Sequence, residues 1–454
     1  MFRLEDTICA ISTSVSKNSA INIIRISGEK TFEILSKILK PPPPYIERKM
    51  YLGKIYEPDT KKLIDKIQWV YYKKPKSYTG EDMVEIFTHG GIIIPEIILK
   101  ILIKLGARLA EPGEFTMRAV LNGKMDLLQA QAINQIVKSE NLKALEISLK
   151  RLEGVLRKKF ENLFEDIKEI SAEIEVNLNY PEEDLPPFRK ESIFKKIEKI
   201  EKKIKKYLEE SENSKRVFEG FKISICGAPN VGKSTLFNKL IKKERAIVSE
   251  IPGTTRDYIS ENISIKGINS IIYDTAGLRL KTPSKIEKIG IKKTEKIIEE
   301  SDIIIWIFDS QKKPLERELK KIKKLKKEKN FIFVINKMDK KIKWNKNILK
   351  DLGDEVFEIS ALKGIGLENL VKEIEKRFEK ESGSAEISLT LYEESKLKEI
   401  LYEIEKSKET LKEGREEITG LHLKNALSNL NTLLGKDIDN EILQKIFSDF
   451  CVGK

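Results

Sequence analysis

Between Leu145 and Ile174 the apolar residues fall at Leu145, Leu149, Leu152, Leu156, Phe160, Leu163, Ile167, Ile170 and Ile174, in steps of four and three. That spacing lays all of them along one stripe of an α-helix. It predicts a single long helix whose seam packs on other helices. The stretch Pro181–Pro187 ends it. A second amphipathic helix follows, with Ile193, Ile197, Ile200, Ile204 and Leu208 on one stripe. Ahead of this region the period shortens. Ile21–Ile26, Met50–Ile55, Ile67–Tyr72 and Met83–Phe87 are short apolar runs bounded by Gly, Pro and Asp, and they read as strands. Pro41–Pro44 is a rigid connector. Ile92–Leu105 reads as a helix closed near Gly106.

Further along, Lys222–Cys226, Ser270–Tyr273, Ile303–Phe308, Phe331–Ile335 and Val356–Ile359 are short apolar runs, with helical stretches between most of them. This alternation predicts a doubly wound, mostly parallel sheet. Helical patterns return after Lys380, at Leu397, Ile400, Leu401 and Ile404, then Leu423–Leu434, then Glu441–Phe450. The expected architecture is multidomain α/β and α. Residues 1–120 form an α+β domain, 121–216 the first part of a helical domain, 217–380 an inserted α/β domain, and 381–454 the rest of the helical domain.

The inserted segment carries the chemistry. Gly227-Ala-Pro-Asn-Val-Gly-Lys-Ser234 follows a strand and opens a helix, the spacing of a phosphate-binding loop. Amide N–H groups of such a loop point at phosphate oxygens. Lys233 is expected to reach the β- and γ-phosphates and the Ser234 hydroxyl to hold Mg²⁺. Asn230, Val231, Gly232 and Thr235 belong to the same cradle. Asp274-Thr275-Ala276-Gly277 comes next in order. Its carboxylate suits water-mediated contact with Mg²⁺, and its glycine amide can register the γ-phosphate. Asn336-Lys337-Met338-Asp339 selects the base. One carboxylate, Asp339, accepts both the N1–H and the 2-amino group of guanine, a pair that adenine does not offer. Ser360-Ala361-Leu362 can present a backbone N–H to guanine O6. Gly253-Thr-Thr-Arg-Asp257 reads as a mobile switch with Thr255 as second Mg²⁺ ligand. Together these elements predict a Ras-like GTP-binding domain. Leu278 stands where many such switches carry glutamine, so hydrolysis needs another group. Arg279 and Glu287 are the nearby candidates, each also readable as a solvated charge.

Composition changes little in this picture. The 454 residues are 40% hydrophobic and 35% charged, as in a soluble folded protein. No stretch has the ~18 uninterrupted apolar residues of a membrane span. The start MFRLEDTICAIS does not read as a secretion leader, and a cytoplasmic location is expected. Cys9, Cys226 and Cys451 are far apart and odd in number, with neither metal nor disulfide spacing. The net charge of +13 invites a nucleic-acid partner, yet lysine is abundant throughout. The run Lys320, Lys321, Lys323, Lys324, Lys326 and Lys327 reads as one solvated helix face.

Outside the nucleotide motifs, Lys76-Ser-Tyr-Thr-Gly-Glu-Asp-Met-Val-Glu85, His89-Gly-Gly91, Arg108–Thr116, Leu121–Leu127 and the ending Phe450-Cys-Val-Gly-Lys454 resemble the MnmE (TrmE) family of tRNA modification GTPases, over essentially the whole chain. The resemblance implies an FAD-containing partner, MnmG, in a heterotetramer. It implies addition of an aminomethyl-type group, carboxymethylaminomethyl, to C5 of the wobble uridine of certain tRNAs. It implies an N-terminal domain that forms a homodimer and binds 5-formyl- or 5,10-methylene-tetrahydrofolate through Arg25, Glu85, Lys124 and Lys454. Hydrolysis in the family is K⁺-stimulated as G domains pair. Asn230, Ser249, Ile251 and Thr254 match its K⁺ ligands, within a nucleotide-contacting run Ser249-Glu250-Ile251-Pro252-Gly253-Thr254-Thr255. Glu287 matches the residue that orients water, and Cys451 becomes a candidate reactive thiol against the plainer reading of a small packed residue. Ser12–Ala20 lacks the Pro- and Gly-rich turn usual in the family. His89 and His422 read as structural. A GTPase acting in ribosome or rRNA assembly is the alternative, but no appended RNA-binding module is recognisable.

Overall fold

The computed structural model describes residues 6–40, 46–179, 189–243, 260–265, 268–274, 295–326, 329–352, 355–382, 386–436 and 440–454. The chain forms two compact units. One is Met1–Asn134 with Arg151–Glu201 and Ser395–Lys454; the other is Gln135–Lys150 with Lys202–Glu394. Among the described residues no helix is long and apolar enough to cross a membrane.

Among its described residues the first unit holds seven strands: β1 (Ile8–Ile11), β2 (Ile21–Ser27), β3 (Leu39–Lys40), β4 (Met50–Tyr56), β5 (Leu63–Tyr72), β6 (Met83–His89) and β7 (Arg108–Leu109). They lie in the order β3-β4-β5-β6-β2-β1-β7, and every pair is antiparallel except β1 with β7. One face is covered by α1 (Thr31–Ser36) and α2 (Ile93–Lys104). There Ile24 and Ile26 of β2, Trp69 of β5 and Val84 and Ile86 of β6 meet Ile34, Ile98 and Leu102. The two-residue period turns Arg25 and Glu85 to the other face. The register of β2 on β6 sets these two directly opposite each other.

α3 (Glu114–Leu121), α4 (Leu127–Lys138), α5 (Leu142–Leu152), α6 (Val155–Asn179) and α7 (Lys190–Glu219) follow. The single long helix predicted over 145–174 is two helices. Gly154 turns the chain at φ +91 between α5 and α6. The 3.6 period hid this break, because a glycine between two apolar positions leaves the stripe unmarked. The stripe itself also shifts: Leu149 is exposed, and Ala144 and Ile147 pack with Val217 instead. Beyond the turn the pattern holds. Leu156, Phe160, Leu163, Ile167, Ile170 and Ile174 are buried on α6, which packs along the helix Glu416–Leu433.

The second unit is built on β8 (Phe221–Gly227), β9 (Ser260–Ile265), β10 (Ile268–Asp274), β11 (Ile303–Asp309), β12 (Asn330–Asn336) and β13 (Val356–Glu358). Their order is β13-β12-β11-β8-β10-β9, parallel except that β9 runs antiparallel to β10. All seven residues of β11 are buried, as expected of a parallel strand covered on both faces. The doubly wound expectation is therefore met. The edge strand β9, with its polar Ser260, Glu261, Asn262 and Ser264, carried too weak an apolar signal to be foreseen. The carboxyl ends of β8, β11 and β12 bring Gly227, Asp309 and Asn336 to the same edge of the sheet. That is the edge at which open α/β sheets bind ligands.

Candidate functional site: a phosphate loop and an arginine–glutamate pair

β8 runs directly into the loop Gly227–Gly232, and α8 (Lys233–Lys243) begins at the lysine. The loop can form only with its particular small residues. Gly227 turns at φ +140, where a Cβ would sit 2.4 Å from the Ile307 carbonyl oxygen. Gly232 turns at φ +103, where a Cβ would sit 2.2 Å from Nδ2 of Asn336. Asn230 takes the left-handed conformation at φ +64, which asparagine tolerates better than most residues. Lys233 Nζ donates to the carbonyl oxygens of Gly227 (2.9 Å) and Ala228 (2.8 Å), so the ammonium is held inside the loop. Ser234 is exposed at the head of α8 and Thr235 is half-buried behind it.

The residues expected to select the base lock onto this loop. The amide of Asn336 is buried and bridges two segments. Its Nδ2 donates to the Val231 carbonyl (2.8 Å), and its Oδ1 accepts from the Ala361 N–H (2.9 Å). Asn336 therefore ties the Ser360–Leu362 loop to the phosphate loop. Lys337, at φ +66, donates through Nζ to the Asn230 carbonyl and to Asp309 Oδ2, each at 2.7 Å. Ser360 Oγ donates to Asp339 Oδ1 at 2.8 Å, and chiefly for that reason the Asp339 carboxyl lies below the usual carboxylate range. It is thus an ionised acceptor at neutral pH, as guanine recognition requires. Sequence reasoning missed Asp309. It is buried, its Oδ1 accepts the Gln311 N–H, and its backbone carbonyl accepts a hydrogen bond from Trp344 Nε1. A carboxylate closing an otherwise apolar strand was the signal for it.

A second constellation lies in the first unit. Arg25 Nε and Nη2 donate to Glu85 Oε1 at 3.0 and 2.6 Å, and Tyr72 donates its hydroxyl to Glu85 Oε2 at 3.1 Å. The Arg25 guanidinium lies 5.6 Å from the ring centres of both Tyr78 and Phe115. The C-terminal tail reaches this pair. Arg25 Nη1 and Ser12 Oγ both donate to the Gly453 carbonyl at 3.0 Å, and the Gly113 N–H donates to that of Cys451. Phe447 and Phe450 anchor the tail against Met117 and Leu127. Burial, partly countered by Cys451 and then reinforced by Arg25, holds the Lys454 amine below the usual lysine value. Lys124 donates to the Pro75 carbonyl at 2.9 Å, on the segment that also carries Tyr78. Cys451 is exposed, whereas Cys9 is buried and its thiol is pushed up to about 12.

A family model described as the GTP-binding protein TrmE N-terminus matches residues 7–124, and one for the MnmE helical domain matches 127–451. The chain belongs to the MnmE family. It is 40% identical to the tRNA modification GTPase MnmE of Thermotoga petrophila over 99% of this chain and 100% of that one. With the MnmE of Aquifex aeolicus it shares 39% identity over the same fractions. It is accordingly a GTPase.

Within this MnmE-family chain the structure brings together Asn230, Val231, Gly232, Lys233, Ser234, Asn336, Lys337, Asp339, Ser360 and Ala361 around one loop system. Asp274 ends β10, opposite Ile225 of β8. The run Ser249–Thr255, together with Thr275, Ala276, Gly277, Leu278, Arg279 and Glu287, lies outside the described residues. Arg25, Glu85 and Lys454 converge. Ser12, Tyr72, Tyr78 and Phe115 join them without having been foreseen, since only the strand register and the returning tail assemble that group.

Proposed function

We propose that the chain couples GTP hydrolysis to wobble-uridine modification in tRNA, acting with an FAD-dependent MnmG-type partner and a tetrahydrofolate derivative. The observation that carries this reading is the Arg25–Glu85 pair with the tail folded onto it, in the same chain as a guanine-selective phosphate loop. The residues suit a folate. Arg25 and Lys454 offer cations to a glutamate tail, and Glu85, held by Tyr72, offers an acceptor to pterin N–H groups. Lys124 supplies a further cation at the rim. The bound folate supplies the one-carbon unit. Residues 1–120 serve the folate and a homodimer, and 217–380 serve as the G domain. Ile21, Leu52 and Phe87 line an open cleft of about 770 Å³ on the N-terminal sheet, with Leu52 77% exposed, an apolar face suited to a second copy.

At the G domain, Lys233 and the loop amides bind phosphates, and Asn336 and Lys337 hold the loop in shape for Asp339 to take guanine. Ser234 and Thr255 would hold Mg²⁺, which would supply positive charge to the bound phosphates. Asn230, Ser249, Ile251 and Thr254 would hold K⁺, whose charge would offset that developing on the phosphates. Glu287 orients the attacking water that Leu278 cannot. The decisive experiment is nucleoside mass spectrometry on tRNA from a deletion strain complemented with wild type, Arg25→Ala or Asp339→Asn. The reading expects loss of the C5 modification in the deletion and in both variants. A deletion strain with a normal modified pool overturns it. Turnover in KCl against NaCl at matched ionic strength tests the cation assignment, and equal rates refute it.

A further inference from the structure

Between Asp309 and Lys350 the sequence has sixteen Lys and Arg against five Asp and Glu, a net +11 in 42 residues when the whole chain carries +13. Almost all of the protein's charge excess therefore sits in one stretch of the second unit. The fold gathers this stretch onto one face of the sheet. Ile322 of the helix Glu316–Leu325, Trp344, Leu349 and Leu352 pack inward on Phe331, Phe333 and Ile335. What remains outward is mainly lysine. Two loops are stitched together there. The Lys343 N–H donates to the Ser310 carbonyl, and Gln311 Nε2 to the Lys341 carbonyl, both at 2.9 Å. This juxtaposes Lys312, Lys313, Lys341 and Lys343, all exposed, beside the base-selecting segment Asn336–Asp339. The acidic residues nearby are engaged elsewhere: Asp309 with Lys337, Glu318 with Trp306 Nε1, Asp339 with Ser360.

We propose that this lysine face of the G domain is a docking surface for the phosphate backbone of RNA, and that the RNA is the tRNA of the reading above, on which this inference rests. A protein interface concentrates aromatic and apolar anchors and is depleted in lysine at its core. Among the described residues of the stretch 309–350 the one large apolar side chain that is exposed is Leu315. Clustered ammonium groups without such anchors match the evenly spaced charges of a polynucleotide, which lysine meets as a point charge. The position also has a consequence. RNA held there lies next to Lys337 and Asp339, so occupancy of the surface and the guanine site can influence each other.

The test uses the full-length chain with all four of Lys312, Lys313, Lys341 and Lys343 changed to Gln. A control variant carries Lys195→Gln, Lys199→Gln, Lys202→Gln and Lys206→Gln on the exposed side of α7, the same change in charge. Fluorescent-GDP affinity checks that both fold. Affinity for unmodified tRNA is then measured across a KCl series. The patch variant is expected to lose on the order of tenfold in affinity at low salt, and its slope of log K against log salt should fall by about 3. The control should stay near wild type. A patch variant with wild-type slope overturns the proposal, as does an equal loss in the control, which would reduce the effect to net charge. Competition by polyglutamate as strong as by tRNA of equal charge also overturns it, in favour of an acidic protein partner. Wild-type protein that binds no tRNA at low salt would refute the tRNA reading itself, a result distinct from a normal-binding patch variant.

Discussion

Gly232 shows how little room the nucleotide loop leaves at the scale of single residues. Its φ of +103 and the 2.2 Å that would separate a new Cβ from Asn336 Nδ2 mean that Gly232→Ala must displace the loop or the amide that braces it. Left-handed strain and overpacking together come to about 3 kcal/mol, or on the order of 100-fold in affinity. Fluorescent-GDP titration should show that loss, and an unchanged affinity would mean that the bracing is dispensable. Lys454 gives a prediction in pH. Its amine is lowered first by burial and, among charges, by Arg25. In ¹³C-methyl-lysine spectra it should titrate at lower pH than the exposed lysines. Arg25→Gln should return it only part of the way, because burial remains. The folded chain gives up this proton before the unfolded chain does, so the penalty of the half-buried ammonium is full below the folded pKa. It fades as pH rises toward the ordinary lysine value. A Lys454 signal that moves with the exposed lysines would contradict this placement. Asp339 and Lys233 were legible because their motifs encode local geometry. Asp309, Tyr72 and Ser12 were not, because their roles come from partners 28, 13 and 441 positions away in sequence.

The break between α5 and α6 is the informative failure at the scale of elements. A helical stripe measures which residues share a side, and it continued through Gly154 because the apolar steps either side of the turn still sum to threes and fours. Gly154→Ala meets open space, with nothing within 4 Å of the new Cβ, so its only cost is the left-handed conformation at φ +91. A drop in stability of about 1–2 kcal/mol is expected, read as a lower urea midpoint. A neutral substitution would show that the turn is easily re-formed without glycine. Most other elements were readable because their burial is one-sided or complete. β11 is apolar over six residues because both faces are covered, and β2 alternates because one face is. β1, β3, β7 and β9 escaped because they are short, or polar and at a sheet edge, so tertiary pairing rather than intrinsic pattern makes them strands.

The whole molecule places its two constellations in different compact units, Arg25, Glu85 and Lys454 in one and Lys233, Asn336 and Asp339 in the other. Among the described residues neither shares a side chain with the other. Binding at each should therefore respond to its own substitutions alone, while the modification of tRNA should require both. Glu85→Gln removes the negative charge and one of the two acceptor oxygens that Arg25 and Tyr72 hold in place. It should abolish binding of 5-formyl-tetrahydrofolate in calorimetry and leave the fluorescent-GDP affinity within about twofold, because mutations with no shared partners are close to additive. Asp339→Asn should do the reverse, relaxing the preference for guanine over other bases while folate binding stays intact. Calorimetry and GDP titration on the same two purified variants decide the matter, since each serves as the folding control for the other. If Glu85→Gln weakened GDP as strongly as folate, the two sites would have to communicate in the resting protein. The division of labour proposed here, with one unit holding the carbon donor and the other spending GTP, would then give way to a single coupled site.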